Sequence, residues 1–191
     1  MQILLATEIW GRTSHVDEMV RVLERCSHTV TVIDPYAGSD PAFVSEEEAY
    51  SRYQEVCGHG EYARRVAQAL ERAAGPVCLV GFSAGAGAVW SAVTEAKVGP
   101  AVGAIGFYGS SIRTMMQRIP HIPVTLIFPC HEAHFDVGGV VEVLQDLPET
   151  ACHVVPYGHG FMNPLSDNYS AKGHALWTRW LLEQIASMAR P

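Results

Sequence analysis

The chain has 191 residues, 48% of them hydrophobic and 17% charged, with a mean hydropathy of +0.09. That balance excludes the polar, highly charged compositions that stay disordered, and the length suits one domain over residues 1–191 built on a single sizeable core. A net charge of −7, with no Lys/Arg run longer than Arg64-Arg65, excludes an electrostatic footprint for phosphate backbones, so nucleic acid is not an expected partner.

The N-terminus, Met1 to Thr7, lacks a basic segment, and its apolar run is too short for a secretory leader or a membrane span; a cytoplasmic location away from membranes is the expectation. Short apolar, β-branched runs of the buried-strand type then recur at residues 3–6, 29–33, 77–80, 102–107, 124–128 and 153–155. Between them lie segments with apolar residues at helical spacing: Val16, Met19, Val20 and Leu23; Val66, Ala69 and Leu70; and Leu176, Trp180, Leu181 and Ile185. Parallel neighbours need crossovers that cover both faces of the sheet, so this alternation predicts a doubly wound α/β architecture of about six strands. Residues 35–57, rich in Gly, Pro and acidic side chains, read as an irregular excursion over the sheet that helps form a lid. The five cysteines are odd in number and show no CxxC spacing, which argues against a disulfide framework or zinc ribbon and for small buried hydrophobes.

Gly81-Phe82-Ser83-Ala84-Gly85 directly follows the predicted strand 77–80 and precedes the helix-like run Ala86-Gly-Ala-Val-Trp-Ser-Ala-Val. A serine held in strained geometry on a strand-to-helix turn needs small neighbours, and Gly81, Ala84, Gly85 and Gly87 supply them. The helix after Ser83 would aim its N-terminal N–H groups at charge developing on a substrate oxygen, making the Ala84 amide one oxyanion donor. Neither G-x-G-x-x-G in dinucleotide register nor a P-loop is present, which weighs against a flavodoxin-like or nucleotide-binding module; no cofactor is expected.

A serine hydroxyl is a weak nucleophile at neutral pH and requires a base, and on this kind of turn the chain order is Ser, acid, His. His159, in the glycine-flanked loop Pro156-Tyr-Gly-His-Gly-Phe161 after the last predicted strand, is the candidate base. Just past strand 124–128, Pro129-Cys-His-Glu-Ala-His-Phe-Asp136 offers two carboxylates: Glu132 is the first choice for the acid, and Asp136 the alternative, standing where it would cap a helix beginning at Val137. His131 and His134 lack the i, i+4 spacing that points two ligands one way from a helix, so no metal is expected.

Together with Thr7-Glu8-Ile9-Trp10-Gly11, Asp34-Pro-Tyr36 and Phe107-Tyr-Gly109, these segments resemble the dienelactone hydrolase family over nearly the whole chain. The resemblance implies the α/β-hydrolase fold, the Ile9 amide as second oxyanion donor, Glu8 as the acidic residue held beside the nucleophile, and Glu8, Trp10 and Tyr50 as substrate contacts. The chain departs from that family in three respects. Serine replaces the elbow cysteine; Glu46 and Asn163 stand where arginines bind the carboxylate of a dienelactone; and the two strands that precede the Glu8 strand in the family have no counterpart, leaving a bare sheet edge at which a homodimer is possible. The expected activity is cleavage of a small-molecule ester or lactone through an acyl-enzyme on Ser83. The alternatives are a carboxylesterase or acyl thioesterase for apolar acyl chains, and a catalytically idle hydrolase-fold binding protein.

Overall fold

The computed structural model describes residues 1–95 and 98–189. Its elements, in chain order, are β1 (Gln2–Ala6), α1 (Ser14–Arg25), β2 (Thr29–Ile33), α2 (Glu46–Val56), α3 (Gly58–Glu71), β3 (Val77–Phe82), α4 (Ala84–Val93), β4 (Ala101–Phe107), a 3₁₀ turn (Ser110–Thr114), β5 (Val124–Pro129), α5 (Val137–Gln145), β6 (Thr150–Val155) and α6 (Ala171–Met188). The six strands form one sheet in the order β2-β1-β3-β4-β5-β6, and every pairing is parallel. This is the doubly wound α/β class that the alternation of strand and helix patterns predicts.

Alternation along each strand divides the interior in two, because successive side chains of a strand point to opposite faces. Leu4, Ala6, Val77 and Leu79 pack with Tyr62, Val66 and Trp90 on the face covered by α3 and α4. Ile3, Leu5, Cys78 and Val80 pack with Val16, Leu23, Leu181 and Ile185 on the face covered by α1 and α6. Strand β3 is buried throughout and α4 is buried on all sides, so the turn between them is anchored in packed core at both ends.

From β1 the chain moves outward to β2 and then returns to place β3 on the other side of β1, with Ala6 beside Gly81. The order of strands reverses there, and the crevice beyond the carboxyl ends of β1 and β3 is where open parallel sheets hold their ligands.

Three expectations are corrected. Residues 35–57 are not irregular throughout, since α2 occupies Glu46–Val56. Its N-terminus is capped by Ser45, whose Oγ accepts from the Glu48 amide at 3.1 Å, and three consecutive glutamates sit favourably at the positive end of the helix. β6 begins at Thr150 rather than at residue 153; as an edge strand it exposes Ala151, His153 and Val154, which removes the continuous apolar run that marks a central strand. Of the cysteines only Cys78 is buried; Cys26 ends α1 and Cys130 follows β5, both exposed, and Cys57 and Cys152 are half-buried. Among the described residues no helix is long and apolar enough to cross a membrane.

Candidate active site

Ser83 leaves β3 with φ 51° and ψ −115°, a conformation that L residues rarely hold and that the surrounding structure must enforce. Its amide donates to the Phe107 carbonyl at 2.9 Å. The neighbouring glycines are sterically required: a Cβ on Gly81 would meet the Gly85 carbonyl oxygen at 2.6 Å, and one on Gly85 would run into the carbonyl oxygens of Ala6 and Thr7. The turn therefore thrusts a hydroxyl out at the end of the sheet while α4 begins directly behind it.

His159 lies in the loop after β6. Its carbonyl oxygen accepts from Ser166 Oγ and Asn168 Nδ2, both at 3.2 Å, and Gly158 packs so closely on Asn168 that a Cβ would fall 2.6 Å from its Cγ. Held this way, the ring presents Nε2 to Ser83 Oγ at 2.9 Å and Nδ1 to Glu132 Oε1 at 2.8 Å. The Glu132 side chain is only 7% exposed, against 25% for His159. Ser110, at the start of the 3₁₀ turn after β4, places its Oγ 3.3 Å from His159 Nδ1 and 3.4 Å from Glu132 Oε1.

The two candidate acids separate cleanly. Asp136 caps α5, where its Oδ2 accepts from the Gly139 amide at 2.8 Å, so the structure brings Glu132 and not Asp136 to the histidine. Burial pushes the His159 imidazole towards its neutral form, but the bonded Glu132 carboxylate, with Glu8 and Glu46 farther off, outweighs this and holds its pKa above the ordinary value.

These groups open onto a cleft of about 760 Å³ whose lining includes Ile9, Ala84, Glu46, Tyr50, His59 and Arg113. Among the described residues the amides of Ile9 and Ala84 have no hydrogen-bond acceptor. Tyr50, 51% exposed on α2, forms part of the cleft wall. His131 and His134 are exposed on the rim, and among the described residues no three His, Cys, Asp or Glu side chains are grouped to hold a metal ion.

Glu8 and Trp10 lie elsewhere than expected. Trp10 is 7% exposed, packs in the core on the α3/α4 side, and is not part of the cleft lining. Glu8 is buried and is not part of the cleft lining. Its Oε1 accepts from the Tyr108 hydroxyl at 2.7 Å and its Oε2 from Asn163 Nδ2, and it borders a separate cavity of about 30 Å³ with Thr7, His15 and His174. Burial raises its pKa, opposed by those two hydrogen bonds and by His159. The Tyr108 ring in turn packs edge-on against the His159 ring, centroids 5.2 Å apart. Side chains next to a strand end can turn to either side of the sheet, and sequence alone does not fix which.

Sequence reasoning did not place Ser110, Tyr108 and Tyr36 around the site. Tyr36 donates its hydroxyl proton to the Ile9 carbonyl at 2.7 Å and is set in place by Asp34, which accepts from the amides of Tyr36 and Gly38 at 2.7 and 2.8 Å. An Asp-Pro-Tyr sequence just past a strand end is the available signal, since an aspartate there commonly caps its own turn.

No family model matches the chain. It is 27% identical over 174 residues to YczH of Bacillus subtilis strain 168, a protein described as uncharacterized, covering 85% of this chain and 81% of that one. Solved structures share its fold across nearly the full length. A dienelactone hydrolase-like promiscuous phosphotriesterase from metagenomic libraries superposes with a TM-score of 0.75 at 16% identity, covering 98% of this chain and 86% of that one. The dienelactone hydrolase of Anabaena variabilis gives 0.62 at 18% identity, covering 95% and 85%, and mouse alpha/beta hydrolase domain-containing protein 10 gives 0.65 at 16%, covering 98% and 90%. The fold is the α/β-hydrolase fold, and the dienelactone hydrolase likeness seen in the sequence recurs in three dimensions.

Proposed function

We propose that the protein is a dienelactone-hydrolase-like serine hydrolase that cleaves an ester or lactone through an acyl-enzyme on Ser83. The observation that carries this is the unbroken line from Ser83 Oγ to His159 Nε2 at 2.9 Å and from His159 Nδ1 to Glu132 at 2.8 Å, starting from a serine held at positive φ.

Ser83 Oγ attacks the carbonyl carbon while His159 Nε2 takes its proton, and the Glu132 carboxylate fixes the tautomer and stabilises the imidazolium that forms. The amides of Ile9 and Ala84 receive the oxyanion, the second of them at the positive end of α4. His159 then protonates the leaving oxygen, and a water molecule activated by the same imidazole releases the acid. Glu8, engaged by Tyr108 and Asn163, has no hydrogen bond to Ser83 among the described residues, which favours ordinary triad chemistry over direct activation by that carboxylate.

The cleft wall is of mixed character but carries three ionisable side chains, Glu46, His59 and Arg113, which suit an ester or lactone bearing a polar group. With Glu46 and Asn163 in place of the two arginines, a dienelactone carboxylate loses its partners there, so we assign a different ester or lactone as the natural substrate.

Fluorophosphonate labelling of the intact protein followed by peptide mapping, with His159→Ala as control, tests this reading. Labelling confined to the Ser83 peptide and lost in the control supports it and directs panels of esters, lactones and a phosphotriester; absence of labelling in folded protein rejects it in favour of a binding protein.

A further inference from the structure

From the geometry around the acid we infer that Ser110 is a positioning residue, a fourth member of the hydrogen-bonded line that holds Glu132 against His159. This rests on the triad reading above. In the tautomer that lets Nε2 accept from Ser83, Nδ1 carries the proton and donates it to Glu132 Oε1. The Ser110 hydroxyl, 3.3 Å from Nδ1 and 3.4 Å from Oε1, therefore directs its own proton at the carboxylate oxygen, and Oε1 receives two donors.

The need for such a brace follows from the residue type and its loop. Glutamate has one more rotatable bond than aspartate, so a carboxylate at its end is less well fixed by its backbone. The loop gives little help by packing, because His131, Ala133 and His134 beside it are exposed. The 3₁₀ turn supplies what is missing at two points. Its Ser110 hydroxyl reaches Glu132, and its Arg113 guanidinium lies 5.3 Å from the ring centre of Phe135, three residues farther along the same loop. Arg113 Nη1 also donates to the Ser110 carbonyl at 2.6 Å, tying the two contacts together, and Ile112, fully buried between them, anchors the turn in the core.

The test is a double-mutant cycle. Ser110→Ala, Ser110→Thr, Glu132→Gln and the Ser110→Ala/Glu132→Gln pair are compared by kcat and KM on 4-nitrophenyl acetate and by the rate of inactivation with a fluorophosphonate. Ser110→Ala is expected to lower kcat about tenfold with little change in KM, the size expected for losing one hydrogen bond that acts in the transition state. Ser110→Thr, which keeps the hydroxyl, is expected to recover most of that loss. In the Glu132→Gln background, where there is no carboxylate to hold, Ser110→Ala is expected to cost almost nothing. Equal losses in both backgrounds, or a fall in melting temperature with kcat unchanged, overturn the proposal while leaving the triad intact. Wild-type protein that neither labels nor turns over the ester overturns both.

Discussion

The Tyr36 hydroxyl donates to the Ile9 carbonyl at 2.7 Å, so a side chain from beyond β2 fixes the peptide that follows β1 in the cleft. Tyr36→Phe removes that bond and keeps the ring. The bond holds the Ile9–Trp10 peptide, adjoining the Glu8–Ile9 peptide whose N–H the proposed mechanism aims at the oxyanion. Since that aim matters only when charge develops on the substrate oxygen, kcat is expected to fall by about three- to tenfold with KM little altered. Steady-state kinetics on a short-chain ester checks this, and a melting curve shows the accompanying loss of about 1 kcal/mol.

The pH dependence follows from His159. As the base of the proposed mechanism the imidazole acts only when neutral, and its folded pKa lies above the ordinary 6.5, so the acid limb of kcat/KM is expected at a pH above that value. Glu132→Gln removes the largest opposing charge and leaves burial to dominate, moving the limb downward while kcat falls by about 10³–10⁴-fold. The stability contribution has the opposite course. Protonated His159 is favoured by folding, so its contribution is fully present below 6.5 and is lost as pH rises through the raised folded value, which is the window in which activity appears. Paired rate and melting profiles across that range in wild type and Glu132→Gln test both signs.

The positive φ of Ser83 predicts a cost that can be measured with two inactive variants. Ser83→Ala keeps a Cβ at φ 51° and Ser83→Gly does not, although both delete the hydroxyl. Relief of strain exceeds the extra freedom that glycine gives the unfolded chain, so the glycine variant is expected to be the more stable by about 1 kcal/mol. In a chain of this size that corresponds to a melting temperature about 2–4 °C higher.

Much of the fold was legible because β1, β3, β4 and β5 are covered on both faces and read as continuous apolar runs. The start of β6 was not legible because an edge strand lacks that signature, nor was α2, which buries only Ala49 and Tyr53 and shows little apolar periodicity. The one local clue to α2 was Ser45 followed three residues later by Glu48, the spacing of a capping box. In the site, Ser83 and His159 could be named from turn chemistry and chain order, and the acid narrowed to Glu132 or Asp136. Glu8 and Trp10 could be named but not placed, since the sheet face that a residue turns to after its strand ends depends on what packs there. Ser110 carried no signal at all, because a serine in a short turn looks the same whether its hydroxyl meets solvent or a carboxylate.

The strands deliver the site one piece at a time: Ile9 after β1, Tyr36 after β2, Ser83 after β3, Ser110 after β4, Glu132 after β5 and His159 after β6. If Ser83 is the nucleophile, a chain emerging from the ribosome carries an ordinary serine hydroxyl until His159, which follows β6, reaches it. On the proposed mechanism, hydrolysis would accordingly be a readout of completed folding, and a fragment ending before β6 is expected to be inert however well its first five strands had formed.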